Sequence, residues 1–225
     1  MPATCSADKI SLQLLKLSLP VVATPLAQIF NLSITTSVFP SAWKVGQIVP
    51  IYKKGNRSDY ASYRPVTLLP ILSKVMEHIV QQQLTNYLNS HQTLHTAQHG
   101  FRSKRSCCSA LLTVSNGLSA AKNNGLFSSV AALDYSRAFD TINHQILLRK
   151  LAAIFDADAL SWFTSYLSGR QQYVTFNGVQ SDVLPVSYGV PQGSVMGPTL
   201  FLLYVNYLFD LLPSGSVVAY ALSQR

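Results

Sequence analysis

Leu133-Asp134-Tyr135-Ser136-Arg137-Ala138-Phe139-Asp140-Thr141-Ile142-Asn143-His144 is the stretch on which the fold turns. The apolar residues leading into Asp134 predict a buried strand over 130–135 that ends in a carboxylate. Beyond it a helix is expected over about 141–155, with Leu147, Leu151, Ile154 and Phe155 turned inward. A carboxylate at the C-terminal end of a strand is well placed to hold a metal ion against substrate phosphates. Taken alone, the same residue also serves as a turn acceptor or helix cap. Asp140, just ahead of Thr141-Ile142-Asn143, is expected to cap the following helix.

Downstream, Trp162, Phe163, Tyr166 and Leu167 predict another helix. Residues 172–176, then Asn177-Gly178, then Val179 predict a hairpin, because Asn-Gly suits a two-residue turn twisted like the strands it joins. The uncharged run 195–209 is short for a bilayer and reads as a buried helix. Upstream, a helix is expected from about 106 to 118, with Gly100-Phe101-Arg102 in a loop and Lys104 and Arg105 at the helix mouth. Another helix follows Pro70, with Ser73 as its cap and an apolar stripe of Leu72, Val75, Met76, Ile79, Val80, Leu84, Tyr87 and Leu88. Val45, Gln47 and Val49 mark a short strand that runs into the basic turn Lys53-Lys54-Gly55-Asn56-Arg57. The first segment has helical spacing at Leu12, Leu15, Leu19, Leu26, Ile29 and Phe30, interrupted around Pro20 and Pro25. No repeat, low-complexity segment or linker divides the chain, and the pattern predicts one α+β body.

Hydrophobic residues make up 48% of the 225 residues and charged ones only 12%, which excludes a disordered chain. The net charge of +8 is concentrated. Between 44 and 105 lie nine cations (Lys44, Lys53, Lys54, Arg57, Arg64, Lys74, Arg102, Lys104, Arg105) against Asp59 and Glu77, giving +7 of the +8. Such a field suits a polyanion, either a nucleic acid or a nucleoside triphosphate, although a solvated basic face would give the same count. Cys5, Cys107 and Cys108 have neither metal-ligand spacing nor a disulfide framework. Residues 17–43 carry no charge, but Pro20, Pro25, Gln28, Asn31, Thr35, Thr36 and Pro40 make them a poor continuous membrane span. No membrane role is expected, and no localisation signal is visible; an intracellular place, nuclear or cytoplasmic, is expected.

The run 133–144 resembles the first palm motif of reverse transcriptases from non-LTR retrotransposons, of which the jockey-like elements of animals are the nearest group. Gly189-Val190-Pro191-Gln192-Gly193-Ser194-Val195-Met196-Gly197-Pro198 is similar to their second palm motif. Phe39-Pro40-Ser41-Ala42-Trp43-Lys44, Pro50-Ile51-Tyr52-Lys53-Lys54-Gly55, Tyr63-Arg64-Pro65-Val66-Thr67-Leu68-Leu69 and Gln98-His99-Gly100-Phe101-Arg102 resemble the fingers motifs of that family. Ser161-Trp162-Phe163, Tyr166-Leu167, Arg170 and Asn177-Gly178 are similar to the segment between the two palm motifs. The resemblance runs from about Asp8 to Ala221. It implies a right-hand polymerase fragment without a thumb: an N-terminal helical segment over 1–40, fingers over 41–128 and a partial palm over 129–225.

The resemblance also implies roles. Asp134 and the backbone carbonyl of Tyr135 would hold Mg²⁺ or Mn²⁺, in a two-ion site with ions roughly 3.5–4 Å apart. Arg64, with Lys53 or Lys54, would bind the incoming deoxynucleoside triphosphate, arginine through paired bonds and lysine as a mobile point charge. Phe139 would be the gate beneath the nucleotide sugar, or else a buried aromatic anchor. Gln192 and Gly193 would meet the templating pair and the primer end. The partners are then an RNA template and a DNA primer, and the reaction is templated addition to a primer 3′-hydroxyl. The family places two adjacent aspartates after an aromatic and a small residue. Here Tyr220-Ala221 is followed by Leu222 and Ser223. The chain is therefore expected to be a shortened or decayed copy without polymerase activity, and a non-catalytic nucleic-acid-binding remnant is the alternative.

Overall fold

The computed structural model describes residues 8, 10–132 and 137–211. Its helices are α1 (Leu12–Thr35), α2 (Ile71–Ser90), α3 (Cys107–Asn123), α4 (His144–Ala152), α5 (Ala157–Leu167) and α6 (Gly197–Val205). Its strands are β1 (Val45–Tyr52), β2 (Tyr63–Leu68), β3 (Gln171–Phe176), β4 (Val179–Gln180) and β5 (Leu184–Pro185). The result is a mixed helix and sheet fold.

The sheet has the order β2-β1-β3-β4, with β5 also on β3. β1 pairs antiparallel with β2 and parallel with β3, so that Gln47 faces Leu68 on one side and Tyr173 on the other. Strands on both sides of the expected division at 128/129 thus share one sheet. The Asn-Gly hairpin forms as its sequence requires: Asn177 and Gly178 have φ of 49° and 80°, and Phe176 pairs with Val179.

The core gathers around Phe39, whose ring packs edge-on against Trp43, Trp162 and Tyr166 at centroid distances of 5.9, 5.6 and 5.1 Å. Such pairs add about 0.5–1.5 kcal/mol each beyond their burial. Ser33 ties α1 to this cluster by accepting from the Trp162 indole at 3.1 Å and donating to the Val38 carbonyl at 2.7 Å. On α6, Leu200, Phe201, Leu202 and Leu203 are all buried. A helix apolar on every side is one covered on every side, which accounts for the uncharged run without a bilayer.

Several expectations need correction. α1 continues through Pro20 and Pro25: each proline removes one amide donor and crowds the carbonyl four residues earlier, and the remaining bonds of the 24-residue helix carry it past both. By length and composition α1 is long and apolar enough to cross a membrane, and only its C-terminal part docks on the core, through Phe30 and Ser33. α2 begins after Pro70 with no side-chain cap; Ser73 lies inside the helix and donates to Glu77 instead. Asn143, not Asp140, caps α4, accepting from the Ile146 amide at 3.1 Å. The chain between 137 and 140 turns tightly, so the capping position falls three residues later than the sequence pattern placed it. Residues 130–132 are exposed and outside any strand, since no described strand lies beside them to accept their backbone bonds; the rest of that expected strand lies outside the described residues. The buried helix expected over 195–209 is α6 followed by a 3-10 segment, Asn206–Leu211.

Candidate functional site

A cleft of about 990 Å³ opens along β1, β2 and β3. Lys44, Lys53, Arg57, Arg64, Arg137 and Arg170 line it, and Asp140 is the acidic residue among its lining. The antiparallel register places Arg64 opposite Ile51, next to the turn that carries Lys53. Arg57 leans over the Tyr52 ring at 4.8 Å, which orders the tip of the basic turn. Lys53, Arg64 and Gln192, three residues expected to bind nucleotide, therefore share one cleft, whereas Lys54 is exposed and does not line it.

The far wall is made by two stretches of chain zipped together. The Gly189 amide donates to the Ile142 carbonyl at 2.8 Å and the Val190 amide to the Phe139 carbonyl at 2.9 Å. Asn143 and Tyr188 form an isolated bridge, and His144 Nε2 lies 2.6 Å from the Gly189 carbonyl. From there the chain turns at Pro191-Gln192-Gly193 and touches the sheet: the Thr67 amide donates to the Gln192 carbonyl at 2.7 Å. Gly193 has φ of +129° and lies against Thr67 without room for a side chain.

Phe139 is buried, with its ring 5.3 Å from Phe201 and 6.4 Å from Phe101, and does not line the cleft. Asp134, Tyr135, Leu222 and Ser223 lie outside the described residues. Among the described residues no three His, Cys, Asp or Glu side chains converge on one point. They do not by themselves form a metal site. Partial burial raises the pKa of Asp140 above the usual carboxylate value, while Arg137 pulls it down.

The basic cluster of the sequence divides in space. Lys44, Lys53, Arg57 and Arg64 face the cleft. Arg102 donates to the His95 carbonyl at 2.9 Å, and Arg105 donates to the Thr96 carbonyl, so both hold the 94–98 loop rather than a ligand. Burial lowers the Lys44 pKa, and the charge of Arg170 nearby lowers it further.

Glu77 escaped the sequence reading as a functional residue. The sole glutamate of the chain, it is fully buried on α2. Its Oε2 accepts from the Val195 amide at 2.7 Å and the Met196 amide at 3.4 Å, and its Oε1 from the Ser73 hydroxyl at 3.1 Å. Arg170, 2% exposed, supplies the opposing charge; its Nη1 donates to the Tyr166 carbonyl at 3.0 Å, and its guanidinium lies 4.8 Å over the Tyr166 ring. The available signal was a carboxylate within the apolar stripe of α2, next to Met76 and one turn from Ser73.

A family model described as reverse transcriptase (RNA-dependent DNA polymerase) matches residues 51–221. The chain is 36% identical over 182 residues to the RNA-directed DNA polymerase from mobile element jockey of Drosophila melanogaster, covering 80% of this chain and 20% of that protein. It is 34% identical over 177 residues to the probable RNA-directed DNA polymerase from transposon X-element of the same species, covering 78% and 20%. With the RNA-directed DNA polymerase from mobile element jockey of Drosophila funebris the identity is 32% over 180 residues, 80% of this chain and 20% of that protein. The chain thus spans about a fifth of the length of these relatives.

Proposed function

Because this chain belongs to the reverse transcriptase (RNA-dependent DNA polymerase) family, we propose that its basic cleft receives a deoxynucleoside triphosphate and the primer–template duplex on which templated addition takes place. It is a reverse transcriptase domain of the non-LTR retrotransposon kind. The observation that carries the proposal is the meeting of Arg64 and Lys53 with the Gln192 turn in one cleft. Arg64 grips phosphate oxygens in pairs, and Lys53 adds a mobile charge, with Lys54 beside it on the same exposed turn. Gln192 offers both a donor and an acceptor to the templating pair, and Gly193 lets the primer end approach the backbone. For Phe139, the burial of its ring favours the anchor over the sugar gate.

In this reading the mixed fold is a fingers–palm fragment. Reverse transcriptases as a family use divalent metal ions. The residues proposed to hold Mg²⁺ or Mn²⁺ are Asp134 and the Tyr135 carbonyl, and Leu222 and Ser223 stand where the family has two further carboxylates. The domain is accordingly proposed to bind primer–template without completing the reaction.

The test is fluorescence anisotropy with a labelled DNA primer on an RNA template, titrated at rising salt, together with filter binding of a deoxynucleoside triphosphate. Phosphate contacts predict that affinity falls steeply with salt. Arg64→Ala is expected to weaken triphosphate binding more than Lys74→Ala, because Lys74 lies on α2 away from the cleft lining. Equal effects of the two substitutions would indicate a diffuse basic face and sink the proposal.

A further inference from the structure

We propose that Glu77 is a positioning residue: its buried carboxylate, bonded to the Val195 and Met196 amides, fixes the Pro191-Gln192-Gly193 turn against β2. The functional part of this inference rests on the reading of that turn as a primer–template contact.

The turn is held at two ends. On the cleft side the Thr67 amide binds the Gln192 carbonyl at 2.7 Å. On the core side Ser194 closes the turn by donating its amide to the Pro191 carbonyl at 3.0 Å, and its hydroxyl accepts from the Gly197 amide at 3.1 Å. The next two amides, Val195 and Met196, both point at Glu77 Oε2 just before α6 begins. Amides ahead of a helix have no partner within it, and α6 has no side-chain cap of its own. Glu77 reaches across from α2 to supply what a local cap would, so the placement of the turn depends on a different part of the fold.

An apolar side chain would serve packing alone better at position 77, because a buried carboxylate is costly unless paired and hydrogen-bonded. Here both oxygens are used, and the charge of Arg170, on the segment leading into β3, acts on the carboxylate through space without a direct ion pair. The buried Tyr166 side chain also borders the carboxylate. Arg170 also lines the cleft, so the charge that balances Glu77 belongs to the same wall as the turn it positions.

The test uses the full chain and Glu77→Gln, which keeps the volume and one acceptor oxygen but loses the charge. Hydrogen exchange is followed in peptides covering 189–198 and, as a control, 107–123 on α3, alongside anisotropy with the labelled primer–template. Exchange in 189–198 is expected to quicken about tenfold or more while the control is unchanged, with primer–template affinity falling about fivefold or more. Equal quickening in both peptides would reduce Glu77 to a general stabiliser and overturn the proposal, as would no quickening in either. Quickening confined to 189–198 with unchanged affinity would uphold the positioning role and overturn the turn's part in binding. Should Glu77→Gln fail to fold, Ser73→Ala removes one bond to the carboxylate and is expected to produce a smaller quickening in the same peptide; its absence would overturn the proposal.

Discussion

A Cβ placed on Gly193 would stand 2.5 Å from the Thr67 carbonyl oxygen, so these two residues meet backbone to backbone. The contact joins the turn after the far wall of the cleft to the strand that carries Arg64. With φ at +129°, the position is also strained for any L side chain. Gly193→Ala is therefore expected to cost about 1–3 kcal/mol of stability or to push the turn off β2. Urea unfolding measures the first effect and exchange at the Thr67 amide the second. A variant as stable as the parent, with Thr67 still protected, would refute the close approach.

Glu77 gives a pH signature. Burial raises its pKa above the ordinary value of 4.5, opposed in order by Arg170, the Val195 and Met196 amides and the Ser73 hydroxyl. Its folded pKa lies above its unfolded one, so its favourable contribution is complete below about 4.5 and is lost as pH rises through the folded pKa. Subtracting the stability of Glu77→Gln isolates this group. The difference, parent minus variant, is expected to fall as pH rises above about 4.5. A difference that grows with pH would mean that Arg170 outweighs burial.

The cap of α4 gives a test of the local structure. Asn143→Ala removes the bond to the Ile146 amide and should destabilise the domain by about 0.5–2 kcal/mol. Asp140→Ala removes no cap and should cost less. The two denaturation midpoints decide the matter, and the reverse order would restore Asp140 as the capping residue.

Primer extension with Mg²⁺ or Mn²⁺ should yield no templated product from this chain above an Asp134→Ala control. Leu222 and Ser223 cannot supply carboxylate charge, and the loss of one preorganised electrostatic group commonly costs about 2.7–4 kcal/mol of transition-state stabilisation. Robust synthesis that disappears in the control would show that those two carboxylates are dispensable.

Much of the local structure was legible in the residues. Asn177-Gly178 readily takes the two positive φ values that a tight two-residue turn requires, so its hairpin was legible locally. Ser106 and Ser109 close a capping box at the start of α3, close to the expected boundary. The unbroken apolar face of 198–205 foretold burial on all sides. The two long motifs carried the family before any contact was known. All these signals are short-range, set by backbone preference or by the spacing of apolar side chains.

What only the tertiary structure decided is which distant groups meet. Charge counted along the chain could not tell Arg64, which lines the cleft, from Arg102, whose guanidinium holds the His95 carbonyl. The β2 strand passed unremarked as a strand because its alternation is weak, and it exists through its pairing with β1. Glu77 looked like one acid opposing a basic field; only folding brings it to the Val195 and Met196 amides, more than a hundred residues away. A hydrogen bond acts over about 3 Å, and no periodicity in a sequence specifies which remote donor will come within that distance.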